Sequence, residues 1–66
     1  MTITLNGNPH ELEGELSILS LLASLGMEGR PVVVELDERA VFPRDYDQTL
    51  VGDGARIEIV ALAAGG

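Results

Sequence analysis

The sequence predicts a small α+β domain in which a mixed sheet of four to five strands wraps over one main helix. Three observations carry that expectation. Apolar and polar residues alternate at period 2 around an Asn6-Gly7 turn, one segment from Ile18 to Leu25 repeats at period 3.6, and β-branched or alternating runs return afterwards as far as Leu62. With 66 residues, 45% of them hydrophobic, the chain has material for one core. Two layers are the fewest that cover the apolar faces of both a helix and a sheet.

The elements follow in order. Ile3 and Leu5 alternate with Thr2, Thr4 and Asn6, the mark of a strand with one buried face. Asn6-Gly7 predicts a tight hairpin because both residues accept positive φ, and a second strand follows with His10 and Leu12 on one side and Glu11 and Glu13 on the other. Gly14 breaks that strand. Ser17 is placed to cap a helix whose Ile18, Leu21, Leu22 and Leu25 share a face over about nine residues, with Leu19 at the boundary. Gly26 stands where a left-handed end is wanted.

Val32-Val33-Val34 predicts a strand covered on much of both faces, Asp37-Glu38 a turn, and Ala40-Val41-Phe42 a short strand closed by Pro43. Arg44 to Thr49 is polar and predicts a loop or one helical turn. The last strand runs from Arg56 to about Leu62, with Ile57, Ile59 and Ala61 on one face. The expected core is Ile3, Leu5, Leu12, Ile18, Leu21, Leu22, Leu25, Val32 or Val34, Ile57 and Ile59.

Composition narrows the function. A formal charge of -7, spread along the chain, opposes a phosphate backbone and an anionic lipid surface, so neither nucleic acid nor membrane is an expected partner. Aromatic residues are 3% of the chain, too few to stack on bases. The longest apolar stretches fall well short of the ~20 residues that span a bilayer. No basic residue lies near the N-terminus to suggest a secretory signal, and the expected setting is soluble and cytoplasmic. The absence of cysteine removes a thiolate nucleophile and a Cys-ligated zinc.

Few residues offer chemistry. His10 has no second histidine with which to hold a metal, and Glu11, Glu13 and Glu15 describe a solvated face. Asp45-Tyr46-Asp47 opens like a calcium loop, but Leu50 occupies the position of the sharp-turn glycine. Gly52-Asp53-Gly54 opens like a dinucleotide fingerprint, but Ile57 stands at the third glycine and a strand follows where a helix is needed. No catalytic residue, metal ligand or bound cofactor is expected.

The end of the chain is different. A strand that finishes in solvent ordinarily turns polar, whereas this one continues Val60-Ala61-Leu62-Ala63-Ala64-Gly65-Gly66. A frayed end is the bland explanation. The functional one is that the tail is itself a substrate, since an end without Cβ atoms threads a narrow cleft and leaves its carboxylate open to attack from either side. Val60 and Leu62 also share the face that carries Arg56 and Glu58, and apolar residues beside a charged rim mark a docking surface.

Taken jointly, Leu5-Asn6-Gly7, Glu11-Leu12-Glu13-Gly14, Leu21-Leu22 with Leu25-Gly26, Pro43-Arg44, Asp53-Gly54 and the closing Ala64-Gly65-Gly66 resemble the ThiS family, the sulfur carriers of thiamine biosynthesis. The resemblance spans essentially the whole chain. A terminal Gly-Gly alone is also found in ubiquitin and the small subunit of molybdopterin synthase. It departs at the middle turn, where the family often has Asn-Gly and this chain has Asp37-Glu38.

The resemblance implies a ubiquitin-like β-grasp domain over residues 1–62, with its first and last strands paired in parallel at the sheet centre, and a flexible C-terminal Gly-Gly tail over residues 63–66. It implies a protein co-substrate, not an enzyme. An E1-like adenylyltransferase uses ATP to form an acyl-adenylate on Gly66, with Gly65 and Ala64 as the access tail. A sulfur donor protein then converts this to a thiocarboxylate, and thiazole synthase takes up the sulfur. Val60, Leu62, Arg56 and Glu58 become the expected docking surface for these partners. Carriers for tRNA thiolation or another thiolated metabolite, and ubiquitin-like protein modifiers, share the fold and tail and remain alternatives.

Overall fold

The computed structural model describes residues 1–62. Strand β1 (Thr2–Leu5) and strand β2 (Asn8–Glu11) form an antiparallel hairpin closed by the Leu5–Asn8 pair. Asn6 and Gly7 take φ of 50° and 84°, the two left-handed residues that match the twist of the flanking strands. A two-residue strand β3 (Leu16–Ser17) leads directly into helix α1 (Ile18–Ser24). The Ser17 hydroxyl accepts from the Ser20 N–H at 3.0 Å, and Gly26 at φ 72° turns the chain away just past the helix.

Strand β4 (Val32–Leu36) and strand β5 (Arg39–Val41) form the second hairpin. Its turn places two non-glycines at positive φ, Asp37 at 49° and Glu38 at 70°. Asp37 offsets that strain by exchanging two hydrogen bonds with the Arg56 backbone, its N–H donating to the carbonyl at 2.8 Å and its carboxylate accepting from the N–H at 2.9 Å. A 3-10 turn (Pro43–Asp45), strand β6 (Leu50–Val51) and strand β7 (Arg56–Ala61) complete the chain as described.

The main sheet has the order β2-β1-β7-β4-β5, and β3 pairs with β6 in a separate two-stranded ribbon. β1 and β7 run parallel through Thr4–Arg56 and Leu5–Ile57, and the other pairs are antiparallel. This is the β-grasp arrangement, with α1 laid across one face of the sheet. Ile3, Leu12, Ile18, Leu21, Leu22, Val34, Tyr46, Val51, Ile57 and Ile59 make the core.

Several expectations need correction. The helix has seven residues rather than about nine. β5 closes at Val41 and β7 at Ala61, each one residue earlier than expected. Leu5 and Leu25 pack against the core only partly buried, Val34 fills the place expected of Val32 or Val34, and Tyr46 and Val51, absent from the expected core, lie inside it. Val33 is 43% exposed, because the single helix covers one face of the sheet and the other face meets solvent.

Candidate functional site

The residues leading to the tail sit on the central strand of the sheet. Along β7, Arg56, Glu58 and Val60 point to the solvent face and Ile57 and Ile59 to the core. The register with β4 sets Val33 opposite Val60 and Glu35 opposite Glu58. Phe42, one extended residue past the end of β5, continues that register to the level of Val33. The outer face thus carries an apolar row of Phe42, Val33 and Val60, with exposures of 55%, 43% and 56%. Beside it lies an acidic row of Glu35 and Glu58.

Two carboxylates directly opposite each other on neighbouring strands repel. No basic residue is paired with either in the described chain, since Arg56 reaches Glu38 at 3.9 Å and Arg44 lies near Asp45 at 3.8 Å. Those exposed pairs add little stability. Arg44 also stands 5.4 Å from the Phe42 ring centre, so the aromatic end of the apolar row has a cationic border. The arrangement suits a partner that is apolar where it meets Val60 and basic where it meets Glu35 and Glu58.

Of the expected docking residues, the structure brings Val60, Glu58 and Arg56 together and adds Val33, Glu35 and Phe42. Leu62 departs from the expectation. The period of 2 stops with the strand at Ala61, and Leu62 borders an apolar groove on the helix side of the sheet. That groove has a volume of about 540 Å³ and is lined by Leu19, Leu22, Met27, Pro31 and Tyr46 among others. Leu62 is anchored there by its N–H, which donates to the Pro31 carbonyl at 2.9 Å. Burial in the wall of the groove pushes the Tyr46 phenol above its ordinary value. Ala64, Gly65 and Gly66 lie outside the described residues.

A residue that sequence reasoning read only as a turn former proves to organise the site. The Asn6 side chain faces β7, its Oδ1 accepting from the Ile59 N–H at 2.7 Å and its Nδ2 donating to the Ile59 carbonyl at 3.1 Å. It replaces one more residue of β1 and holds β7 just before the tail. Asn6→Ala removes both bonds and places a Cβ residue without local hydrogen bonding at positive φ, and should cost about 1–3 kcal/mol. Asn6→Asp keeps the acceptor but sets a carboxylate oxygen, which cannot donate, against the Ile59 carbonyl, so it should also lose stability. Urea melts check this, and a loss below about 0.5 kcal/mol for Asn6→Ala would show that the pairing is not energetically significant.

Among the described residues there is no group of three or more His, Cys, Asp or Glu able to hold a metal. No helix there is long and apolar enough to cross a membrane.

Comparison with known proteins gives a consistent result. The family model described as ThiS family matches residues 3–66. A sulfur carrier protein ThiS from Thermus thermophilus is 36% identical over 64 residues, covering 97% of this chain and 98% of that protein. A thiazole synthase from Paramagnetospirillum magneticum is 35% identical over 66 residues. That match covers the whole of this chain but 20% of the synthase, so the chain spans about a fifth of that relative's length. Among solved structures, the crystal structure of a thiamine biosynthesis protein (ThiS) from Geobacter metallireducens is similar with a TM-score of 0.86 and 32% identity, covering 100% of both chains.

Proposed function

Because the chain belongs to the ThiS family, we propose that it is the sulfur carrier of thiamine thiazole synthesis and that Gly66 is the group that carries the sulfur. The observation that supports this most is the extent of the match, which runs through residue 66 and therefore includes the Gly65-Gly66 end. In this reading a Gly66 carboxylate oxygen attacks the α-phosphorus of ATP on an E1-like adenylyltransferase, and pyrophosphate leaves. A persulfide sulfur on a donor protein then attacks the acyl carbon and AMP departs, leaving an acyl disulfide to the donor. A second thiol attacks the donor's sulfur, the S–S bond breaks, a disulfide forms between those two thiols, and the thiocarboxylate is released on Gly66.

The carrier supplies the carboxylate and a docking surface, and the partners supply the catalytic groups, so it acts as a co-substrate and not as an enzyme. A thiocarboxylate is nucleophilic without a thiol side chain, which suits a chain of zero cysteines. Thiazole synthase is the acceptor, a role supported by the match between this chain and part of a protein of that name. The demand for ATP suits a cytoplasmic location.

The measurement is intact mass after incubation with the adenylyltransferase, ATP and the sulfur donor. Exchange of one oxygen for sulfur on the chain is expected, and an unchanged mass with active partners would sink the reading. The outer sheet face has its own test. Val60 is already 56% exposed, so Val60→Glu should leave the fold intact while weakening both partners about tenfold, roughly 1.4 kcal/mol each. Calorimetric affinities unchanged for both would remove this face from the docking surface.

A further inference from the structure

The edges of the main sheet are treated unequally. β2, at one end, carries Pro9 opposite Thr4, and in this register the position without an N–H faces outward, where a proline blunts the edge. β5, at the other end, is only three residues long and begins with Arg39. A third edge opens inside the sheet. β1 ends at Leu5 and the chain turns away through Asn6 and Gly7, but β7 runs on to Ala61.

The hydrogen-bond phase of β7 shows which groups face that opening. Arg56 and Leu62 bond toward the β4 side, through Asp37 and Pro31 respectively. The intervening Ile57, Ile59 and Ala61 therefore direct their N–H and C=O toward β1. There the Ile57 carbonyl accepts from the Asn6 N–H at 2.8 Å, and Ile59 is satisfied by the Asn6 side chain. Ala61 comes next, one step beyond the reach of Asn6, and no described residue pairs with it on that side. The neighbouring turn residues Asn6 and Gly7 and the first residue of β2, Asn8, are all exposed, and Ala61 itself is exposed.

Resting on the reading that Gly66 is activated with ATP, we propose that the activating enzyme grips this chain by adding a strand of its own to the open edge, pairing with the N–H and C=O of Ala61. The need is physical. Residues 63–66 are Ala-Ala-Gly-Gly, whose side chains are two methyl groups at most, so main-chain hydrogen bonds are what a partner can use to set their register. Four residues reach at most ~14 Å beyond Leu62, so an enzyme holding Gly66 at its ATP site comes close to this edge. β7 is held from the opposite side by the Val33–Val60 pair and the Leu62–Pro31 bond, so the edge is rigid before the partner arrives. One strand step sets the tail to within ~3.3 Å along its length.

Ala61→Pro tests this, because it deletes the N–H on the open side and leaves every β4 bond in place. The experiment uses the full chain with its adenylyltransferase and follows ATP-pyrophosphate exchange. The melt should be unchanged while kcat/KM falls on the order of tenfold, as expected for the loss of one or two main-chain hydrogen bonds. Ala61→Ser, which keeps the N–H, should behave as the parent. If the proline chain fails to fold, a semisynthetic backbone ester at position 61 removes the same donor without added bulk and should show the same fall.

Parent-like exchange by the proline or ester chain would overturn strand addition and leave the sulfur-carrier reading standing. A defect with proline but none with the ester would assign the effect to the ring and likewise overturn it. No exchange by the parent chain would defeat the carrier reading, and this inference with it. A dimer of the parent that the proline chain no longer forms would reassign the edge to self-association.

Discussion

Deleting Gly66, or appending one alanine after it, should abolish thiocarboxylate formation and leave the thermal melt where it was. A deletion removes the reacting carboxylate from its position, and an added residue carries it ~3.5 Å further, several times the tolerance of an in-line displacement. Among the described residues, every core residue lies between Ile3 and Ile59, so neither change touches that core. Gly65→Val should be nearly as damaging, since a β-branched side chain widens the thread and closes the positive-φ region. Pyrophosphate exchange followed by intact mass reads all three. Sulfur incorporation by the deleted chain at the parent rate would show that Gly66 is not the carrier group.

Leu21→Ala has the reverse signature, with a large loss of stability. Leu21 is fully buried beneath the sheet, and its truncation leaves a cavity that a helix of seven residues cannot collapse into. The expected cost is about 2–5 kcal/mol. A domain this small draws on the low end of the usual range of about 5–15 kcal/mol, so the variant should be substantially unfolded at physiological temperature. Leu21→Met, which nearly conserves volume, should cost less than about 1.5 kcal/mol. Urea melts of the two variants decide the point, and equal midpoints would mean that Leu21 does not fill a tightly packed site.

How far the fold and site were legible depends on the range of the forces involved. The Asn6-Gly7 turn, the Ser17 cap and the Gly26 helix end were readable because each is decided within a few residues. Strands β3 and β6 were not, because two residues carry no period and exist only by pairing Leu16–Val51 and Ser17–Leu50. Tyr46 was missed for a related reason, since it lies in a polar stretch and is drawn inward by a turn rather than by alternation. Val33 was misread because three consecutive valines do not reveal whether a second layer covers the sheet. Leu62 was assigned to the outer face by extending a period past the strand that produced it.

The sequence by itself determined the local conformations and the apolar face of the helix and of most strands, and through the joint order of its motifs it pointed to the sulfur-carrier family. Those features rest on side-chain and φ preferences that act between near neighbours. Tertiary structure alone decided that β1 lies parallel to β7, that Asn6 meets Ile59 across 53 positions of sequence, and that Glu35 faces Glu58. It also decided that the backbone of Ala61 is left open where β1 turns away. Strand order and register follow from which apolar faces can be buried together over the whole chain, and no short window of residues contains that sum.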